Sequence, residues 1–322
     1  MKTSMIVLII VACSCIVAGL VLLCVSFFMS NGDLSIFSSA SYVDNEYIFE
    51  EDFDTIEITD DMAKIELLPA EDGKCRIVLF ERERMTHTAS IADGKLSIKV
   101  KDERKIFDYI GIFNVNTPSV KVYLPMSEYS SLSVSTHTGR ITLPDSLSFG
   151  SATLSVTTGF TSVRSNISGA LSISATTGDV HIESVSLSSL NVSTSTGDLR
   201  LKSVDATQNL NISTTTGDVD LSNVNCKNLS VKVSTGEISM RSVIASEQIK
   251  VDSTTGDVEL ERCDAATLKM TTTTGDVEGT LLSDKIFYAN SDTGKVRVPS
   301  SDKGGKCEVK CDTGDIILTV VE

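Results

Sequence analysis

The sequence predicts an all-β chain wound as a parallel β-solenoid of about 19–20 residues per turn, behind one N-terminal transmembrane helix. Three observations predict it: a Thr-Gly dipeptide that returns ten times, apolar residues that alternate around each return, and an uncharged apolar run near the N-terminus. The glycines are Gly139, Gly159, Gly178, Gly197, Gly217, Gly236, Gly256, Gly275, Gly294 and Gly314, each preceded by threonine and spaced by 19 or 20 residues. A period held this tightly marks a stacked repeat, in which each unit buries its apolar face against its neighbours.

From Met5 to Met29 there is no charged residue. About 20 apolar residues cross a bilayer as a helix, so residues 5–29 are long enough to span with some tilt. A cleaved secretory signal has a shorter apolar region, about 7–15 residues, so 1–30 reads as an uncleaved signal anchor. Lys2 on one flank, against Asp33, Asp44, Glu46, Glu50 and Glu51 on the other, places residues 31–322 outside the cytoplasm. A lipoprotein signal ending at Cys13 is the alternative, and the sixteen uncharged residues that follow Cys13 speak against it.

Residues 31–52 are rich in Ser, Asn and acids and read as a stalk or linker. Residues 53–130 read as an irregular β region capping the stack, with strands expected at 53–58, 63–68, 75–80, 95–100 and 119–124. Such a cap is needed because an open end exposes both core and strand edges. Asp93-Gly94 between two alternating runs is a hairpin signal. The segment 102–117 carries the apolar cluster Ile106, Phe107, Tyr109, Ile110, Ile112 and Phe113, which either packs over the cap or docks a partner.

Residues 131–322 form the regular solenoid. Counting from each glycine, apolar residues stand seven before (Leu171, Leu190, Leu210), five before (Ile173, Val192, Ile212), two after (Val180, Leu199, Val219) and four after (Ile182, Leu201, Leu221). That pattern predicts two short strands per turn, each with every second side chain inward. The glycine belongs at the turn between them, with φ above zero. Ten turns at about 4.8 Å make a rod near 48 Å long, with the threonines stacked in a ladder. The final strand at 316–321 has no evident cap in the sequence.

Stacking also aligns Asp179, Asp198, Asp218, Glu237, Asp257 and Asp276, just after the glycines. Like charges one strand spacing apart repel. Three remedies exist: backbone N–H bonds to the carboxylates, the flanking cations Arg140 and Lys295, or a calcium ladder bridging neighbouring acids. The Gly-Gly-x-Gly-x-Asp nonapeptide of calcium β-rolls is missing, which favours the first. Four and two residues before the glycine, Ser155 and Thr157, Ser174 and Thr176, Ser193 and Ser195, Ser213 and Thr215, and Thr271 and Thr273 make a hydroxyl-rich outer face. Such a grid is similar to that of ice-binding solenoids, but His137, Lys232 and Asp252 interrupt it. Four Asn-x-Ser sequons begin at Asn166, Asn191, Asn211 and Asn228.

Composition narrows the function. A net charge of −15 without any Lys/Arg block excludes a nucleic-acid binder, which needs a basic surface to release counterions. With no Trp, six Tyr and three His, the chain lacks material for a sugar-stacking groove or a His-based metal site, and no cofactor is called for. Five cysteines lie beyond the span, an odd number that cannot all pair. Cys263 and Cys307 fall on core positions of the repeat. A catalytic site belongs where repetition breaks, and the breaks at Phe160 and Gly279 carry no acid–base pair, so no enzyme is expected.

The refrains Ser193-Thr-Ser-Thr-Gly-Asp-Leu, Thr214-Thr-Thr-Gly-Asp-Val and Ser253-Thr-Thr-Gly-Asp-Val, with Val122-Tyr-Leu-Pro125 ahead of them, carry a family likeness. Over residues 50–322 the chain resembles the bacterial "putative adhesin" β-strand-repeat family, a domain family of unknown function that includes LiaG-like envelope proteins. The resemblance implies a β-solenoid at the cell surface, tied to adhesion or envelope-stress signalling, with no catalytic residues to transfer. The leading expectation is therefore a membrane-anchored, non-catalytic binding protein whose ligand is a protein, the cell wall or a glycan. A signalling component acting through a membrane partner is the alternative, and a polysaccharide-active enzyme stands behind both.

Overall fold

The computed structural model describes residues 3–29, 41–104 and 117–321. The apolar cluster expected at 106–113 lies outside the described residues. Helix α1 runs Thr3–Met29, and its Ile9–Met29 segment has a mean hydropathy of 2.8, which by length and composition fits a membrane span or a signal sequence. Among the described residues the remaining regular structure is β, in 21 strands joined into one sheet system.

The regular stack is formed by β8 to β16, which run from Glu128 to Thr274. Its apolar columns, read from alternation alone, are the core: Leu190, Val192, Leu199, Leu201, Leu210 and Ile212 are all no more than 2 % exposed. Cys263 and Cys307 are fully buried in the same columns.

The cross-section differs from the expected two strands per turn. Along β11 (Val180–Thr196), residues 180–183 and 185–187 pair with β12 (Leu199–Ala206), and 190–196 pair with β13 (Asn209–Thr216). Each turn thus has three straight pieces. The added corner is a left-handed residue six after the glycine: Ser184, Ser203, Asn223, Ser242 and Arg262, with φ of 52–57°. The reason lies in parity. Inward residues at +4 and +7 are an odd number of steps apart, so one residue between them must kink the strand for both to reach the core.

The order of the stack departs from the order of the chain at both ends. Near the N-terminus, β2 (Thr55–Asp60) and β3 (Lys64–Pro69) lie between β8 on one side and β6 (Lys95–Asp102) and β7 (Ser119–Leu124) on the other. Near the C-terminus, β20 (Gly305–Thr313) and β21 (Ile316–Val320) stack directly on β16 and β17 (Val277–Leu281). The earlier strands β18 (Lys285–Ser291) and β19 (Val296–Arg297) form the outermost rung. The expectation of a bare strand at 316–321 is corrected in part: β17 pairs with Ile316–Val320 on one edge, and β19 covers Ile316 and Ile317 on the other. With two N-terminal rungs added to the ten Thr-Gly rungs, the stack is about 53 Å long at about 4.8 Å per rung.

The N-terminal rung is extended by antiparallel strands. β4 (Cys75–Arg82) pairs with β7, β5 (Met85–Ala92) with β6, and β1 (Tyr42–Phe49) with β4. The β5–β6 hairpin turns at Asp93 and Gly94 with φ of 52° and 72°, the geometry that favours an Asp-Gly pair. Residues 42–49, read from composition as part of a linker, form a full strand instead. Tyr42 stacks on Phe80 with ring centroids 4.9 Å apart, a cross-strand pair that helps hold a strand whose Asp44, Asn45 and Glu46 are exposed.

Candidate binding surfaces

The Thr-Gly-Asp corner is a main-chain device. The N–H of Gly197 donates to Thr216 O at 2.9 Å and that of Gly217 to Thr235 O at 3.0 Å, and Gly178, Gly236, Gly256 and Gly275 make the same bond to the next rung. Rungs approach so closely here that a Cβ built on any of the ten glycines would lie 1.7–2.2 Å from a carbonyl oxygen of an adjoining rung. Eight of them also have φ of 132–154°, whereas Gly139 and Gly294, at the two ends of the set, do not. Close approach, more than a positive φ, is therefore what the column shares.

The acid column is satisfied by the stack itself. Asp179 Oδ1 accepts the N–H of Asp198, Asp198 Oδ1 that of Asp218, and Asp218 Oδ1 that of Glu237, at 2.9–3.1 Å. Asp257 does the same for Asp276, and Asp276 for Asp315. Each carboxylate thus binds the amide of the equivalent residue one rung on. Glu237 is one methylene longer, and burial, helped by Glu259, Asp218 and Asp257, pushes its carboxyl above the usual range. Among the described residues no three His, Cys, Asp or Glu side chains converge as metal ligands would.

The outer faces of the stack are unlike one another. On the piece following the acid, charges pair between rungs: Lys202 with Glu183 at 2.8 Å and Arg241 with Glu261 at 2.6 Å. The piece before the threonine is different. In the five rungs ending at Gly139 through Gly217, the outward positions eight, six, four and two residues before the glycine carry no Asp, Glu, Lys or Arg. They include Thr153, Ser155, Thr157, Ser172, Ser174, Thr176, Asn191, Ser193, Ser195, Asn211, Ser213 and Thr215, in register from rung to rung. Lys232, Lys250, Asp252 and Lys269 bring charge back in the rungs that follow, beside the neutral hydroxyls of Thr271 and Thr273. Apart from His137 and Ala170, the field is a flat sheet of hydroxyls and amides, able to donate and accept.

At the N-terminal end three charged side chains are buried together. His87, 3 % exposed, places Nδ1 2.7 Å from Glu81 Oε2 and Nε2 3.1 Å from Asp60 Oδ2. Both ring nitrogens face carboxylate oxygens, so both donate when the ring is protonated. Burial alone pulls the imidazole down, but the bonds to Asp60 and Glu81 outweigh it and hold His87 above its ordinary value. The same group ties the cap together: Asp60 Oδ1 accepts the N–H groups of Met62 and Ala63, Asn45 donates to Glu81, and Tyr47 donates to His87 O. Composition gave no sign of this cluster beyond a lone histidine in a strand. At the opposite, Cys75 end of β4, a hollow of about 390 Å³ is lined by Phe49, Phe53, Lys74, Pro125 and Tyr129 among others. The five cysteines outside the helix are free and buried, and burial pushes Cys75, Cys226 and Cys307 up to about 12, so they stay as neutral thiols.

No curated protein sequence matches the chain. Among solved structures, a "putative adhesin" from Parabacteroides distasonis ATCC 8503 is similar in fold, with a TM-score of 0.52 at 12 % identity over 75 % of this chain and 98 % of that one. A "putative adhesin" from Parabacteroides merdae ATCC 43184 gives a TM-score of 0.46 at 14 % identity, covering 75 % and 97 %. A "putative lipid binding protein" from Parabacteroides distasonis ATCC 8503 gives 0.47 at 14 % identity, covering 88 % and 98 %. At such identities the likeness concerns fold alone. The Toastrack DUF4097 family model matches residues 53–318, which span the cap and all ten Thr-Gly rungs, and the chain belongs to that family.

Proposed function

We propose that the protein is a membrane-anchored, extracytoplasmic, non-catalytic binding protein that uses its uncharged face to hold a neutral, hydroxyl-rich polymer such as a cell-wall glycan. The observation that carries this reading is the segregation of charge. A chain with 22 % charged residues keeps a five-rung field free of them, while the same rungs carry ion pairs on another face. Neutral polar ligands are bound by hydrogen bonds that fixed charges would disrupt through their hydration. The 21-residue apolar segment of α1 supports the anchor, and solved proteins of this fold described as adhesins or as lipid-binding fit a surface role. No reaction is assigned, since the thiols are buried and His87 is held between two carboxylates.

The test is binding of the full-length chain, in detergent micelles, to isolated cell wall. Wild type is expected to bind saturably and to survive moderate salt. Ser174→Lys and Ser193→Lys should abolish binding while Ser222→Lys, on the charged face, should not. Equal binding by all three variants would sink the proposal. A second reading, signalling through a membrane partner, is favoured by the bonds from β1, the strand next to the apolar helix in sequence, to Glu81 and His87.

A further inference from the structure

The C-terminal end of the stack carries an open strand edge with none of the usual protections. Among the described residues β18 pairs with β20 only, so one row of its N–H and C=O groups faces outward. Natural edges are blunted by charge, proline, bulges or a covering segment. From Ile286 to Ser291 the strand has no charged residue, no proline and no glycine. Tyr288 is 58 % exposed, and its ring is steadied by the Lys306 ammonium 5.3 Å away. Phe287, Ala289 and Val298 pack on the end of the core only in part, and Val296 is 41 % exposed.

We propose that this tip is a homotypic interface: β18 of one copy pairs antiparallel with β18 of a second copy, tip to tip. The charge pattern points to a second copy as occupant. The chain carries −15 overall, which makes its flanks repel, yet around the outermost rung Asp284, Asp292 and Asp302 are balanced by Lys295, Arg297 and Lys303. Lys285 is turned inward and paired with Asp264. A surface with equal numbers of both signs can complement itself through a two-fold axis, as isologous interfaces require. A two-fold axis perpendicular to both the stack and β18 makes the facing strands antiparallel and joins the two cores end to end. It also sends the two N-terminal helices to opposite ends of a rod about 110 Å long, twice the stack at about 4.8 Å per rung. Tip pairing therefore joins copies in facing membranes, which gives the surface protein a second, self-recognising adhesive function. The facing-membrane part rests on the anchor reading above, whereas the tip pairing does not.

Two measurements test the two parts. Sedimentation of the full-length chain in detergent is expected to show a concentration-dependent dimer. Tyr288→Lys with Asn290→Lys, both at exposed positions, should weaken it about tenfold or more, and Val296→Lys should act in the same direction. Unchanged circular dichroism would show that these variants still fold. A monomer at every concentration, or a dimer indifferent to all three substitutions, overturns the interface. Vesicles carrying the full-length chain should cluster with one another, and the tip variants should not. A dimer in detergent with no clustering, from protein that floats with its vesicles, overturns the facing-membrane arrangement. Failure to float would instead sink the anchor.

Discussion

The two ends of the stack solve the same problem by different means. At each end the terminal stretch of chain is tucked in beside the outermost rung: β2 and β3 lie inside β6 and β7, and β20 and β21 lie inside β18 and β19. β2 and β20 are paired on both edges, and β3 and β21 over part of their length, which hinders fraying at both ends of the stack. Beyond that shared device the ends part company. The N-terminal rung is covered by three antiparallel strands and pinned by a buried ionic cluster, while the C-terminal rung is left with an uncharged edge. One end is built to be closed and the other to be met.

The largest test of this contrast is removal of the C-terminal clasp. Deleting 299–322 takes away β20 and β21, so β18 and β19, which fill the same positions less compactly, must re-pair with β16 and β17 or detach. Amide exchange should then show protection weakened across 258–298 and kept across 55–143, because each repeat depends on its neighbours alone. Loss of protection across the whole chain would mean that the two ends fold as one unit.

Glycine substitutions sharpen the comparison along the stack. A side chain at Gly217 would meet Gly197 O at 2.1 Å with rungs on both sides, so Gly217→Val should cost more than about 4 kcal/mol by thermal denaturation. Gly294→Val meets a similar clash on the outermost rung, which can peel, and should cost less. At Gly73 an added methyl meets nothing within 4 Å, leaving only the strain of φ +68°, about 1–2 kcal/mol.

The ionic cluster sets the pH response of the closed end. His87→Ala leaves Glu81 and Asp60 buried without their partner and should cost about 3–5 kcal/mol. Because the folded value of His87 is raised, its contribution is complete below its unfolded value of about 6.5 and is lost as pH rises through the higher folded value. Urea midpoints measured at pH 6 and pH 9 should fall with pH in wild type, and this part of the fall should vanish in His87→Ala. An unchanged difference would remove His87 from the explanation.

The smallest effects lie in the acid column. Asp218→Ala deprives the exposed Glu237 amide of its acceptor and should cost about 0.5–1.5 kcal/mol, whereas Asp218→Asn keeps an acceptor oxygen and should be nearly neutral. Glu237→Asp should add the same bond to the Asp257 amide and stabilise by about 0.5–1.5 kcal/mol. Stabilisation by added calcium, with Asp218→Asn losing it, would revive the metal ladder.

Much of the architecture was legible. The apolar columns through Leu190, Val192, Leu199 and Leu201 are the core because alternation in a strand leaves no other face for them. The Thr-Gly-Asp corner was legible as a turn, and a carboxylate accepting a backbone amide was one of the remedies its repulsion demanded. The kink at Ser184 and its equivalents was written only as the odd step between inward residues, a weaker signal than a glycine. The His87 cluster was not legible at all. Its three members come from β2, β4 and β5, and only the antiparallel cap brings Asp60 within reach of residue 87.

The sequence by itself determined most of what a rung is: a Thr-Gly-Asp corner, an inward row, an outward row and a period. The order of the rungs was decided by the tertiary structure. Cys307, Val309, Ile316 and Leu318 of the last repeat fill the same positions as Phe287, Ala289, Val296 and Val298 of the one before it. Either set satisfies the pattern against Leu268 and Val277, so local periodicity cannot choose between them. Stacking chooses the compact set, which is no more than 1 % exposed, and leaves the set containing Val296 outermost. A repeat specifies its own shape, and only the competition among near-identical neighbours, settled by pairing and packing across the whole stack, specifies who stands beside whom.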